Sequence, residues 1–198
     1  DSGPKIKTYH VLRYLALNHE VHLISFVRSQ AEVESAAALR SYCASITTVP
    51  LRRSRLRDVT SLLQSLASGR PFLIERDDVM AMREAVSAAL RRHSFDAVHA
   101  DQLTMAQFAV DLPLPLRVLD EHNAVWTIVR RVAEREVWGP RRLLAEIEWR
   151  KLRSYEGKIC RCFDRVTVVS DEDRIALEKA AGQSLAATVV PIAVDTAK

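Results

Sequence analysis

The chain alternates between stretches with a helical spacing of apolar residues and short runs rich in β-branched residues. From Ile6 to Leu15 the apolar residues recur every three positions, which is the period of an amphipathic helix. The run from Glu20 to Val27 is short and apolar, as is typical of a strand. Continued along the chain, the pattern predicts helices at about residues 4–17, 30–42, 55–69, 77–92, 103–110, 124–137, 141–163 and 171–181. It predicts six strands, at about residues 20–27, 45–50, 95–100, 116–120, 165–169 and 187–191.

Strands separated by helices must mostly run parallel, because a parallel return needs a long crossover connection. Such crossovers are right-handed in nearly all cases. The pattern therefore predicts an α/β protein with a doubly wound, Rossmann-like parallel sheet. Two helix-end signals agree with this interpretation. Ser170 followed by Asp173 is typical of a capping box, and Gly182 suits the C-terminal end of the same helix.

The composition is that of an ordinary globular protein. Of the 198 residues, 48% are hydrophobic and 27% are charged, which excludes disordered and collagen-like classes. No run approaches the roughly 20 apolar residues that cross a bilayer. The 3 cysteines argue for a reducing compartment, and Cys160 and Cys162 lack the second pair that a structural zinc site needs. We therefore expect a cytoplasmic protein without a metal, at most peripheral at the inner face of the membrane.

The absence of three sequence motifs argues against several functions. The chain contains no G-x-G-x-x-G or G-x4-G-K-[ST] motif, which argues against dinucleotide and P-loop phosphate binding. Ser170 lacks the G-x-S-x-G elbow of hydrolases. The net charge of +4 permits an anionic partner without requiring one, and we expect no nucleic-acid partner.

Three segments of the chain combine into a family-like pattern. Residues 1–26 contain DSGP, LRYLA and HEVHLISF, residues 163–172 read FDRVTVVSDE, and residues 189–195 read VVPIAVD. Together they resemble the N-terminal, acceptor-side domain of retaining GT-B glycosyltransferases of the group 1, family 4 type, which transfer sugars from nucleotide-sugar donors. Ile192 and Ala193 depart from the pattern, since Asn and Gly are usual in the family at those two positions.

The resemblance implies a domain organisation and a set of partners. Residues 1–191 would form one Rossmann-like lobe of a GT-B fold, and residues 192–198 would begin the linker to a donor-binding domain. The family's first, central strand would precede Asp1. The substrates would be a nucleotide sugar and a glycan or lipid-linked acceptor, in polysaccharide biosynthesis, with no cofactor. Because the second domain grips the nucleotide, this chain alone would be inactive.

Candidate site residues lie at the predicted strand ends, where open parallel sheets bind ligands. By the resemblance, His122 would lie against the donor sugar, hydrogen-bond one of its hydroxyls and support positive charge at the anomeric carbon. Its backbone carbonyl would assist. From its position at the end of another predicted strand, Asp101 could orient or deprotonate an acceptor hydroxyl. Asn123, which follows His122, would contact the acceptor. Gly3, followed by Pro4, matches the glycine whose backbone approaches the donor phosphates.

Each of these residues also has a purely structural interpretation. His122 is equally compatible with a side chain packed beneath a loop. Asp101 and Asn123 are compatible with helix caps. Pro4 at the first helical position needs no ligand to explain it.

Two basic sets are further candidates. Arg52, Arg53, Arg55 and Arg57 precede an apolar helical stripe, so this segment could lie on an anionic membrane or simply face solvent. A second set is interleaved with Trp126 and Trp138 and would either clasp an anionic acceptor or pair with neighbouring glutamates. It consists of Arg130, Arg131, Arg135, Arg141 and Arg142.

Three functions therefore remain open at the level of the sequence. The first is retaining glycosyl transfer, as the resemblance implies. The second is a non-catalytic Rossmann-like interaction module, and the third is a nucleotide-sugar epimerase with GT-B architecture. Likeness of fold does not by itself establish any reaction.

Overall fold

The computed structural model describes residues 3–192, with side chains from residue 6 onward. The helices in this range are α1 (Gly3–Leu15), α2 (Gln30–Ala37), α3 (Arg55–Ser68), α4 (Phe72–Asp77), α5 (Met80–Arg92), α6 (Leu103–Ala109), α7 (Val125–Arg135), α8 (Pro140–Cys160) and α9 (Asp171–Ala181). The strands are β1 (His22–Val27), β2 (Ser45–Pro50), β3 (Ala97–Asp101), β4 (Leu116–Glu121), β5 (Arg165–Val168) and β6 (Ala187–Val189).

The six strands confirm the prediction, with ends that differ by one or two residues, but two helical predictions need correction. The helix expected at 30–42 ends at Ala37 and continues as a 3-10 helix over Ala38–Ser41. The helix expected at 77–92 begins at Met80, because Val79 before it has an extended backbone. Sequence periodicity missed α4, whose six residues are too few to show a helical repeat.

All strand pairs among the described residues are parallel, which confirms an α/β protein with parallel strands. The strands lie in two sheets rather than one: β1 pairs with β2, and the other four follow the order β3-β4-β5-β6. The described chain also divides into two compact units. The first contains residues 3–54, 79–94 and 192, and the second contains residues 55–78 and 95–191.

In the first unit, β1 and β2 align from His22 opposite Ser45 to Val27 opposite Pro50. The imidazole Nδ1 of His22 lies 2.8 Å from the Ser45 hydroxyl, which ties the start of the two strands together. The buried apolar residues of this unit are Leu12, Val27, Ala36, Val49, Leu51 and Met82. Helices α2 and α5 both pack against this two-stranded sheet.

In the second unit, the core lies between the four-stranded sheet and the helices that cover it. Leu119 of β4, Val168 of β5, Leu152 of α8 and Leu177 of α9 are fully buried. Helices α8 and α9 approach most closely at Gly157, where an added Cβ would lie 2.2 Å from the backbone oxygen of Ala180. Only glycine permits this approach.

The predicted ends of α9 are both confirmed. The Ser170 hydroxyl accepts a hydrogen bond from the Asp173 N–H at 3.1 Å, and Gly182 ends the helix with φ of 70°. Within the described residues, no helix combines the length and the apolar character needed to span a bilayer.

Candidate functional site

The candidate site lies at the carboxyl ends of the adjacent strands β3 and β4. Asp101, the last residue of β3, is in register with Asp120 of β4. His122 follows directly after β4, so parallel pairing brings its ring to the Asp101 side chain. The Nε2 atom of His122 lies 2.6 Å from Oδ1 of Asp101, a short hydrogen bond between an imidazole and a carboxylate. The structure therefore brings together the two residues that sequence analysis assigned to catalysis.

Asp120 completes a strand-end cluster of two aspartates and two histidines. Its Oδ2 lies 3.9 Å from Nε2 of His122 and 4.0 Å from Nε2 of His99. Its Oδ1 accepts a hydrogen bond from the Thr167 hydroxyl at 2.7 Å, which connects the cluster to β5. Because Asp120 is buried and accepts the Thr167 hydrogen bond, its carboxylate is held in place beside the Asp101–His122 pair.

The members of this cluster differ sharply in their access to solvent. His122 is only 4% exposed, and its Nδ1 is buried without a hydrogen-bond partner among the described residues. The Asp101 side chain is 30% exposed, and Asn123 is exposed. A ligand approaching this edge of the sheet therefore meets Asp101 and Asn123 before it meets the imidazole.

The backbone beside Asp101 is strained. Gln102 has φ of 75° and ψ of 156°, a region that is essentially restricted to glycine. Its N–H donates to the backbone oxygen of Asp120 at 2.9 Å, so this conformation ties the exit of β3 to that of β4. Strained residues of this kind cluster at functional sites. Sequence analysis gave no signal for this feature, because glutamine at this position does not indicate a strained backbone.

A pair of buried glutamates, Glu121 and Glu156, lies next to the loop that leads from His122 into α7. Burial, together with the charge of Glu156 nearby, raises the pKa of Glu121 well above its usual value. Burial likewise raises the pKa of Glu156 to about 7, although hydrogen bonds oppose this change. Those bonds come from the backbone N–H groups of Trp126 and Val125, at 2.8 and 2.6 Å. Folding therefore favours the protonated forms of both glutamates.

The loop from His122 into α7 is thus held by two carboxylates from distant segments. Glu156 of α8 binds the first N–H groups of α7, and Asp173 of α9 accepts from the Ala124 N–H at 2.9 Å. The helix N-cap is Ala124, which has no capping side chain, so the interpretation of Asn123 as a helix cap is wrong. The N-cap of α6 is Gln102, so Asp101 is not the cap of that helix either.

Glu156 and Asp173 were missed as supporting residues at the sequence level. A signal existed for Glu156, since Leu152, Glu156, Ile159 and Cys160 share the buried face of α8. A glutamate on such a face requires a partner. Asp173 was identified only as part of the capping box.

The remaining candidate residues belong to other elements of the chain. Gly3 and Pro4 are in the first turn of α1, in the first unit, whereas Asp101 and His122 belong to the second. Arg52 and Arg53 are exposed after β2, and Arg55 and Arg57 lie in the first turn of α3. One guanidinium nitrogen of Arg57 donates to the backbone oxygen of Asp78 at 3.3 Å. Residues 193–198, which include most of the expected linker, lie outside the described residues.

The cluster has the donor atoms of a metal site as well as those of a hydrogen-bonding site. Ligand atoms of Asp101, Asp120 and His122 all lie within 4.8 Å of one another. In the structure, however, the Nε2 of His122 and the Oδ1 of Asp101 are bound to each other. A metal ion would have to replace that bond, whereas a substrate hydroxyl could reach the exposed carboxylate without breaking it.

Comparison of the chain with protein-family models, with curated proteins and with solved structures found no match. By its fold and its site, the chain is an α/β protein with parallel strands. An aspartate–histidine pair lies at the carboxyl ends of two of these strands.

Proposed function

We propose that this chain is the acceptor-side, Rossmann-like lobe of a retaining GT-B glycosyltransferase, which transfers a sugar from a nucleotide-sugar donor to a glycan or lipid-linked acceptor. The observation that carries the proposal is the 2.6 Å bond between Asp101 and His122 at the ends of adjacent parallel strands. These are the positions at which such sheets bind ligands, and the family resemblance independently selects His122.

The arrangement of strands is compatible with this proposal. The described strands fall into a two-stranded and a four-stranded sheet, both parallel. Two parallel sheets of this kind are compatible with the GT-B assignment, and likeness of fold does not establish a reaction.

In the proposed mechanism, Asp101 is the group that touches the substrate. Its partly exposed carboxylate accepts a hydrogen bond from a sugar or acceptor hydroxyl and orients it. His122 is a positioning residue, because its Nε2–H holds the carboxylate and its Nδ1 is buried. The Asp101 carboxylate, together with the His122 backbone carbonyl, stabilises positive charge that develops at the anomeric carbon.

To test this proposal, the full-length protein is incubated with a panel of nucleotide sugars. Release of the nucleoside diphosphate and glycosylation of acceptor are measured. We expect His122→Ala and Asp101→Asn each to lower kcat/KM by roughly 10²-fold, equivalent to about 2.7 kcal/mol. Asp111→Asn is the matched control, because Asp111 is an exposed aspartate in the α6–β4 loop. It should leave the rate unchanged.

The alternatives give different products. An epimerase would return a nucleotide sugar of altered stereochemistry and glycosylate no acceptor, whereas an interaction module would consume no donor. Either result would refute glycosyl transfer. If transfer is found but His122→Ala and Asp101→Asn retain full rates while folding normally, the pair has no role in it.

A further inference from the structure

The start of helix α7 is anchored by a side chain from a distant part of the sequence. Its N-cap is Ala124, which has no side chain that could accept a hydrogen bond. The N–H groups of Val125 and Trp126 instead donate to the carboxylate of Glu156 in α8, at 2.6 and 2.8 Å. A carboxylate 31 positions from Val125 therefore replaces the neighbouring side chain that usually caps a helix start.

Two other helices of the chain have ordinary local caps. Ser29 accepts from the Glu32 N–H at the start of α2, and Ser170 accepts from the Asp173 N–H at the start of α9. Glu156, by contrast, is fully buried. Removal of a carboxylate from water costs free energy that an exposed local cap does not cost. Such an anchor is expected where function requires a segment to keep one position relative to α8.

The Glu156 carboxylate also meets the chain just before His122. Glu121, the last residue of β4, is buried, and its carboxyl group hydrogen-bonds to that of Glu156. One of the two groups must carry a proton, because a pair of carboxyl groups has no other donor. Glu156 thus contacts Glu121 at one end and Val125 at the other end of residues 121–125. We call this segment the site loop.

The site loop contains the histidine of the candidate site. His122 follows Glu121 directly and precedes Val125 by three positions. Its Nε2 lies 2.6 Å from Oδ1 of Asp101. Because one buried side chain holds both ends of this short segment, the backbone between them is rigid. The position of His122, and with it the geometry of the Asp101–His122 bond, therefore depends on Glu156.

We propose that Glu156 is a positioning residue for the candidate site. Its carboxylate fixes the site loop, and the loop keeps the ring and the backbone carbonyl of His122 in place relative to Asp101. The expected effect on the reaction rate rests on the proposed glycosyl transfer. The expected effect on the Asp101–His122 bond does not depend on any reaction.

The first experiment observes the site loop of the full-length protein by NMR. Glu156→Gln keeps the shape of the side chain, but its amide has one acceptor oxygen where the carboxylate has two. At least one of the Val125 and Trp126 N–H groups should lose protection against hydrogen exchange, roughly tenfold or more. The proton signal of the short Asp101–His122 bond, assigned by its loss in His122→Ala, should shift or broaden.

Glu148→Gln is the matched control for this experiment. Glu148 also lies on α8, and its Oε1 accepts a hydrogen bond from the backbone N–H of Leu73 at 3.3 Å. The control therefore alters the same kind of bond on the same helix, but not a bond to the site loop. It should leave the His122 signal and the exchange of the Val125 N–H unchanged.

The second experiment measures kinetics with the nucleotide sugar that the full-length protein uses. Glu156→Gln should lower kcat by roughly 10²-fold with little change in KM, because a misplacement of about 1 Å in a site costs about this much. A purely structural role would lower stability and leave the kcat of the folded enzyme unchanged. Glu148→Gln should retain the wild-type kcat.

A second variant removes the donor instead of the acceptor. Val125→Pro lacks the N–H that donates to Glu156, and proline is well tolerated at the first position of a helix. It should shift the His122 signal and lower kcat as Glu156→Gln does. If Glu156→Gln fails to fold, as judged by circular dichroism, Val125→Pro decides the question.

Two results would overturn the proposal. One is an unchanged His122 signal in the folded variants Glu156→Gln and Val125→Pro. The other is an active enzyme in which these two variants have the kcat of wild type. If the full-length protein transfers no sugar, the proposed function fails, and the His122 signal alone decides whether Glu156 positions the site.

Discussion

At the scale of single residues, the candidate site combines an accessible carboxylate with an inaccessible imidazole. Sequence analysis assigned the sugar contact to His122, but the structure gives its ring 4% exposure and binds its Nε2 to Asp101. The two roles proposed above, contact with substrate for Asp101 and positioning of Asp101 for His122, follow from this difference in access. A carboxylate held by a buried hydrogen bond keeps one orientation, which is what a positioning interaction requires.

The strain at Gln102 leads to a stability prediction. Gln102→Gly should raise the free energy of unfolding by about 1 kcal/mol, because relief of roughly 1–3 kcal/mol of backbone strain exceeds the entropic cost of glycine. Denaturant unfolding followed by circular dichroism measures this change.

Gln183→Gly serves as the control for this prediction. Gln183 is exposed and does not have the positive φ that Gln102 has. This substitution should lower stability by about 0.5–1 kcal/mol. If both substitutions destabilise equally, the Gln102 backbone is not strained.

At the scale of elements, the contact between α8 and α9 determines how the site is supported. Helix α8 contributes Glu156 and helix α9 contributes Asp173, and both carboxylates bind N–H groups at the start of the α7 segment. The two helices can deliver these side chains together only because Gly157 lets them approach closely.

Gly157→Ala should therefore destabilise the protein by about 3 kcal/mol. An alanine Cβ would lie 2.2 Å from the Ala180 oxygen, so the helices must separate. Without that clash, the same change inside a helix would stabilise by roughly 1 kcal/mol. Thermal or denaturant unfolding shows whether the substitution lowers or raises the free energy of unfolding.

Gly139→Ala is the comparison variant. At this position the nearest atom to an added Cβ is the Val137 oxygen at 4.0 Å. The substitution should cost less than about 1 kcal/mol. A stabilising effect of Gly157→Ala would contradict the observed approach of α8 and α9.

At the scale of the whole molecule, the buried glutamates couple stability to pH. Both Glu121 and Glu156 have raised pKa values in the folded state, so folding favours their protonated forms. Their contribution to stability is fully present below about pH 4.5, the unfolded value, and is lost as pH rises through the folded values. For Glu156 that value is about 7.

Glu121→Gln should therefore weaken the loss of stability that wild type shows as pH rises from about 5 to about 8. The neutral amide has a similar shape and cannot ionise in the core. Unfolding curves across this pH range measure the effect. The exposed Glu172 provides the control, because Glu172→Gln should leave the pH profile unchanged. Parallel profiles of wild type and Glu121→Gln would show that Glu121 does not titrate in this range.

Much of the secondary structure could be predicted from the sequence because the signals are local. Apolar spacing located the six strands, and the helix between each pair of strands required parallel pairing. Ser170 and Gly182 marked the ends of α9 correctly because caps depend on neighbouring residues alone. The short helix α4 and the break before Met80 were not predicted, since neither leaves a periodic pattern in the sequence.

What the sequence by itself determined is the alternation of helices and parallel strands and the placement of polar residues at strand ends. Tertiary structure alone decided which of those residues meet, since the Asp101–His122 bond joins residues 21 positions apart and the Glu156 bond to Val125 joins residues 31 positions apart. It also decided that His122 is buried while Val137 and Trp138 are exposed. The physical reason is that hydrogen bonding and burial depend on distances between segments, whereas periodicity and capping depend only on neighbours along the chain.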